Sequence, residues 1–193
     1  MIRLAREADV PAMLAIYAPY VTDTTITFEY EVPTQQAFLE RFRKITGEFP
    51  WLVWEEEGQI LGYAYACHPF ERQAYAWCAE PSIYLSPQAQ GRGAGRRLYL
   101  ALEELLKLLG YRMLLALITG ENTHSLAFHQ KLGYSFAGEL KTSGYKFGRW
   151  LSVFWLEKQL QIVENPIDFP TKWGSFGQDN QKICDILYNL SLS

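Results

Sequence analysis

The chain has 193 residues, 49% of them hydrophobic, enough to bury one good core of a single domain with an appendage. Its net charge of −3 and pI of about 5.7 lack the basic excess of a duplex nucleic-acid binder, so no nucleic-acid partner is expected. The charged start Met1-Ile2-Arg3-Leu4-Ala5-Arg6-Glu7 has no apolar signal core, and the longest apolar run in a strand candidate, residues 113–118, is far short of a membrane span.

In chain order, residues 2–5 read as a short first strand. Asp9 can cap the helix that follows, with Pro11 in its first turn and Met13, Leu14, Ile16 and Tyr17 on its buried face. Thr34 reads as a second N-cap, before Phe38, Leu39, Phe42 and Ile45 at helical spacing. Residues 51–54 and 60–66 form a hairpin around Glu57-Gly58. A third extended run, residues 75–85, is interrupted at Glu80-Pro81, because proline cannot donate to a ladder; a bend or bulge is expected there.

After a glycine loop, Leu98, Leu102, Leu105 and Leu109 line one helix face, and Gly110 supplies the stop. Residues 111–118 have the few charges of a central strand. Asn122 or Thr123 opens a helix through Lys131 that Gly133 ends, and residues 134–137 and 151–156 close the sheet. The order gives an α+β fold with a parallel strand–helix–strand crossover at its centre. Beyond it, residues 165–171 read as a linker and residues 178–190 as a short helix. Cys67, Cys78 and Cys184 show no CxxC spacing, and His68, His124 and His129 do not complete a metal pattern. Buried thiols in a reducing cytoplasm are expected, with no metal.

The chemistry concentrates at Gln90-Gly91-Arg92-Gly93-Ala94-Gly95, which runs directly into a leucine-rich helix. Backbone N–H groups bared by glycines at a helix start attract anionic oxygens, and Arg92, Arg96 and Arg97 add positive charge. A turn that merely packs strand against helix is the plainer alternative. A Walker loop would need a Lys-Ser/Thr pair that is missing here. A Rossmann loop fits at Gly91 and Gly93 but meets Arg96 at its third glycine.

Read from Gln90, the loop has the form Gln-x-x-Gly-x-Gly, and Asn122, His129 and Gly133-Tyr134 follow. In these motifs the chain resembles the GNAT superfamily of acyl-CoA N-acetyltransferases. Tyr17, residues 24–28, residues 80–85 and Lys146-Phe147-Gly148-Arg149-Trp150 resemble its phosphinothricin and methionine sulfone/sulfoximine acetyltransferase branch. The resemblance covers residues 1–160, leaving residues 161–193 as a C-terminal extension. It implies a mostly antiparallel mixed sheet with central parallel strands splayed apart.

It also implies acetyl-CoA as donor, a small amino-acid-like amine as acceptor and a homodimer. By that resemblance Gln90, Gly91, Arg92, Gly93, Ala94, Gly95 and Arg96 hold the diphosphate. Ile83, Tyr84 and Leu85 run beside the pantetheine arm, and a backbone N–H near Leu85 polarises the carbonyl. Glu80 is the candidate base and His129 the candidate acid, each with a bland alternative: a solvated carboxylate and a packing histidine. Asn122 fixes the splayed strand or the pantetheine amides, which is compatible with capping its helix. Phe28, Arg72, Tyr75 and Glu80 line the acceptor site. Two positions depart from the branch: Ala76 replaces a second basic residue, and Ser152 an aspartate. Acetylation of protein N-termini or polyamines, and CoA binding without turnover, stay open as alternatives.

Overall fold

The computed structural model describes residues 1–162, 168–177 and 181–192. Its strands are β1 (Ile2–Leu4), β2 (Trp51–Glu56), β3 (Gln59–Cys67), β4 (Cys78–Leu85), β5 (Met113–Thr119), β6 (Ser135–Lys146) and β7 (Arg149–Gln159). Its helices are α1 (Val10–Thr22), α2 (Gln35–Thr46), α3 (Ala94–Leu108), α4 (Thr123–Lys131) and α5 (Gln181–Leu192). The strands form one sheet in the order β1-β2-β3-β4-β5-β7-β6, antiparallel except between β4 and β5.

Two apolar layers hold it. On one face Met13 and Tyr17 of α1 and Phe38 and Phe42 of α2 bury Trp51 and Tyr63. On the other, Leu98, Leu102 and Leu105 of α3 pack over Ala79, Leu114 and Leu156. Each fully buried leucine contributes roughly 1.5–3 kcal/mol, so the leucine stripe legible in the sequence is the main anchor of the crossover.

The β2–β3 hairpin turns on Glu57 (φ 49°) and Gly58 (φ 76°), the paired positive φ of a tight hairpin. Thr34 caps α2, its Oγ1 accepting from the Ala37 N–H at 3.2 Å. Asp9 does not cap α1. Its carboxylate instead accepts from Arg3 at 2.7 and 2.8 Å and from the Arg6 N–H at 2.8 Å, because the arginine of β1 is the stronger, charged donor.

Pro81 does not interrupt its strand. Residues 73–75 form a separate helical turn, and the β3–β4 register runs unbroken from Cys67↔Glu80 to Gly62↔Leu85. The Ser86 N–H donates to Leu61 O, so by two-residue alternation Tyr84 and Ser82 turn their backbone groups to β3. Pro81, Ile83 and Leu85 turn theirs toward β5. There the proline acts: pairing with β5 covers only Cys78↔Met113 and Ala79↔Leu114 and stops at the residue that has no N–H. The strands part beyond it.

The last two strands are much longer than residues 134–137 and 151–156. β6 is an edge strand, exposed along most of its length and broken by register shifts at Phe136/Gly138 and Leu140/Gly144, so it carries little hydrophobic alternation to read. The three cysteines are free; Cys67 and Cys78 are half-buried and Cys184 is exposed, which corrects the expectation of buried thiols. Cys184 sits on α5, whose buried side is carried by Ile183.

The linker expected at residues 165–171 lies partly outside the described residues, as do the first three residues of the helix expected at 178–190. The described part of this region is laid onto the sheet. Trp173 is buried, with its N–H donating to Glu48 O at 3.0 Å, and Gly174 donates to Gly47 O at 3.2 Å. α5 packs against α3 and β1, and Ser191 Oγ accepts from the Ile2 N–H at 2.7 Å. Trp173→Ala is therefore expected to cost about 3–5 kcal/mol in chemical denaturation, as for other buried aromatic truncations. A loss near zero would show that this segment lies outside the cooperative core.

Candidate active site

Where β4 and β5 part, they leave a cleft of about 80 Å³ lined by Glu80, Ile83, Tyr84, Leu117, Asn122 and His129, among others. The sequence reading thus brings five of its site residues to one place. Leu85 and Gln90 border a different, larger groove beside α1. Leu85 is not the free edge donor expected: its N–H donates to the Tyr20 hydroxyl at 3.2 Å, and that hydroxyl donates to Leu85 O at 2.7 Å. Ile83 is the residue whose backbone turns toward β5 beyond the last β4–β5 pair. No sequence signal singled out Tyr20.

In the loop before α3, Gly91 (φ 73°) and Gly93 (φ 78°) take the left-handed conformation that side chains with a Cβ resist. Gly93 is the N-cap of α3 and has no side chain to cap it, so the N–H groups of Ala94, Gly95 and Arg96 have no acceptor among the described residues. Gly95 is buried against Leu85, whose Cδ1 would lie 2.9 Å from an added Cβ. Three bared donors at the positive end of a 15-residue helix form an anion seat.

The three arginines divide their work. Arg92 donates to Glu56 at 2.8 Å. Arg97 lies 4.7 Å from the Trp54 ring centroid and donates to Arg92 O and Ser191 O, both at 3.3 Å, bracing the loop from beneath through the end of α5. Arg96 is exposed and has no partner among the described residues, which leaves its charge for a ligand.

Glu80 projects from the point where the strands diverge. Burial pushes its carboxyl above the ordinary glutamate value, and its side chain has no hydrogen bond or ion pair among the described residues. A partly desolvated, unpaired carboxylate is poised to take a proton.

His129 is differently placed. It is buried, its Nδ1 lies 2.8 Å from Ser125 O, and its Nε2 lies 3.0 Å from the Tyr99 hydroxyl. A carbonyl only accepts, so Nδ1 carries the proton and Nε2 accepts from Tyr99. Burial also holds the ring below its ordinary pKa. Neutral and with its one N–H engaged, it has no proton facing a departing thiolate, and this geometry departs from the acid expected of it. Asn122 caps α4, Oδ1 accepting from the Ser125 N–H at 3.1 Å, while also lining the cleft.

The acceptor-side residues are spread more widely. Phe28 packs against Gly144, where a Cβ would come within 2.1 Å of its ring. Tyr75 packs on Phe70 in a tilted pair, ring centroids 4.6 Å apart, and is exposed. Arg72 borders a groove with Cys67, the cross-strand partner of Glu80.

Sequence reasoning missed the role of Lys146. It is 1% exposed, and its ammonium donates to Val21 O and Thr27 O, each at 2.8 Å. It thereby ties the loop after α1 to the β6–β7 hairpin and presents Ile26 to the cleft.

The acetyltransferase (GNAT) domain family matches residues 2–155. The chain belongs to the GNAT acetyltransferase family. It is 39% identical to the phosphinothricin N-acetyltransferase of Alcaligenes faecalis, over 86% of this chain and 85% of that one. It is 32% identical to the L-methionine sulfoximine/L-methionine sulfone acetyltransferase of Salmonella typhimurium, over 82% and 94% of the two chains. Among solved structures, a GNAT phosphinothricin acetyltransferase from Sinorhizobium meliloti in complex with AcCoA superposes with a TM-score of 0.81 at 36% identity, covering 89% of this chain and 92% of that one.

The physical state of Glu80 can be tested without turnover. Because its folded pKa lies above the unfolded value, the native state holds the proton more tightly, and stability falls as pH rises through that window. Glu80→Gln is expected to gain stability relative to the wild type between about pH 4 and neutrality. A difference that does not change with pH would mean that the carboxyl is solvated.

Proposed function

We propose that this GNAT acetyltransferase moves the acetyl group of acetyl-CoA to the primary amine of a small amino-acid-like acceptor of the phosphinothricin and methionine sulfone/sulfoximine type. The observation that carries the reading is the unpaired Glu80 carboxyl at the point where β4 leaves β5. Support also comes from the named activities of the relatives and from the AcCoA complex of the Sinorhizobium meliloti protein.

The bared N–H groups of Ala94, Gly95 and Arg96 would hold the diphosphate, with the Arg96 guanidinium beside them. The free edge of Ile83 would pair with the amide-bearing pantetheine arm as a missing strand would. Acetyl-CoA supplies an activated thioester. Glu80, directly or through one water, removes the proton from the incoming ammonium so that the nitrogen attacks as a neutral amine. The leaving thiolate takes its proton from water, and His129 acts by holding Tyr99 and α4 in place.

Arg72 would grip the acceptor's carboxylate or phosphinate with its two-pronged guanidinium. A polyamine acceptor would call for several convergent carboxylates, and Glu80 is the only one among the residues that line the cleft. The reading places the protein in the cytoplasm, where its free thiols persist, and as a homodimer. The exposed Phe147 (55%) and Trp150 (64%) on the β6–β7 hairpin offer a second copy an apolar face.

Glu80→Gln is expected to lower kcat on the order of 10²–10³-fold while the acetyl-CoA KM stays nearly constant, because a base acts in the transition state. Thiol release at the wild-type rate would remove Glu80 from the chemistry. Arg96→Ala should weaken acetyl-CoA binding by about 1–2 kcal/mol in calorimetry, the value of one charge-assisted contact. Unchanged affinity would mean that the diphosphate lies elsewhere.

A further inference from the structure

The groove that Arg72 borders has a volume of about 770 Å³, within the range that holds ligands far larger than a small amino acid. It lies between the end of α2, the end of β3 and the segment Asp168–Lys172. Cys67 forms part of its wall. Cys67 is the cross-strand partner of Glu80, with Sγ 3.8 Å from Glu80 O. Residues directly opposed across antiparallel strands put their side chains on one face, and burial with the Glu80 charge pushes the Cys67 thiol up to about 12. The groove therefore reaches the strand position opposite the candidate base, which itself lines the neighbouring cleft.

Its outer wall lies beyond residue 155, where the matched acetyltransferase domain ends. This wall is a fixed strap. Thr171 donates to Leu109 O at 2.9 Å, and Trp77 Nε1 donates to Asp168 O at 3.2 Å. Phe169 stacks on Trp77 with ring centroids 4.9 Å apart, yet remains 54% exposed. Phe49, which also lines the groove, is stacked on Tyr111 at 5.1 Å. Ala76, also in the wall, contributes only a methyl group.

The charges at the rim are partly committed: Arg41 is paired with Glu29, and Lys172 and His68 are paired with Glu48. Arg72 and Lys44 have no partner among the described residues, and Glu71 is the one carboxylate there in the same position.

We propose that the strap residue Phe169 is a specificity determinant: the groove takes the side chain of the acceptor, and its aromatic walls select amino acids with an aromatic side chain. The α-carboxylate sits on Arg72, the amine reaches toward Glu80, and the ring lies between Phe169 and Phe49. This rests on the acetyl-transfer reading above for the identity of the amine, but the pocket itself can be measured without turnover.

The test is calorimetric binding of phenylalanine and alanine to the full chain in the presence of CoA, run beside a thiol-release assay with both acceptors. Wild type should bind phenylalanine more tightly than alanine. Phe169→Ala should reduce that preference about three- to tenfold, the contribution of one aromatic pair, and leave alanine binding unchanged. Phe169→Leu, which keeps an apolar contact on Trp77 and guards against misfolding, should reduce it by a smaller factor in the same direction. Equal affinity for the two amino acids, or a preference that both folded variants retain, would overturn the proposal. Binding that depends on Phe169 with neither amino acid acetylated would overturn the acceptor assignment and not the pocket.

Discussion

The structure depends on one missing hydrogen-bond donor. β4 and β5 begin as ordinary parallel neighbours at Cys78↔Met113 and Ala79↔Leu114, and the next position on β4 whose backbone faces β5 is Pro81. Without an N–H there the ladder cannot continue. The flanking layers are strong enough to hold the strands apart: α3 is fixed by its buried leucines on one face, and α1 and α2 by their aromatics on the other. A sheet would normally close such a gap, because unpaired backbone groups in the interior are costly. Here the gap stays open and leaves Ile83 as an edge. One residue before Pro81, on the opposite face from the leucine layer, Glu80 stands at the base of the gap. The open edge and the placing of the candidate base both follow from where one pairing stops.

The sequence makes the frame legible because the frame is built from local rules. The leucine stripe of α3, the Thr34 cap and the Glu57-Gly58 turn each announce themselves within a few residues. The anion seat is legible for the same reason, since Gly91 and Gly93 are needed where φ is positive. Features that arise only across the fold are not legible. Nothing near Tyr20 says that its hydroxyl will cover both backbone groups of Leu85, 65 residues away. Nothing near His129 says that Ser125 and Tyr99 will engage both ring nitrogens. The exposed edge strand β6 has too little alternation to fix its length. Pro81 was visible as a break in a ladder, but sequence alone could not tell which neighbour would lose the bond.

The region after residue 160 shows how an appendage can become part of the site. Its strap seats Trp173 at the foot of the sheet and carries Phe169 to the groove beside Cys67, while its helix places Ser191 against Arg97 beneath the glycine loop. One segment therefore touches both the support of the glycine loop and the groove beside Cys67. Its composition reads as linker and short helix because neither contact has a local signature.

The claim on which everything else rests is that the open edge of β4 receives the donor. Amide hydrogen exchange resolved to single residues tests it most directly, with and without saturating acetyl-CoA. The Ala79 amide, paired to β5, should be protected in both states, and the Ile83 amide should exchange rapidly in the free protein and become protected on binding. An Ile83 amide that exchanges at the same rate in both states, while acetyl-CoA is shown to be bound, would contradict the account.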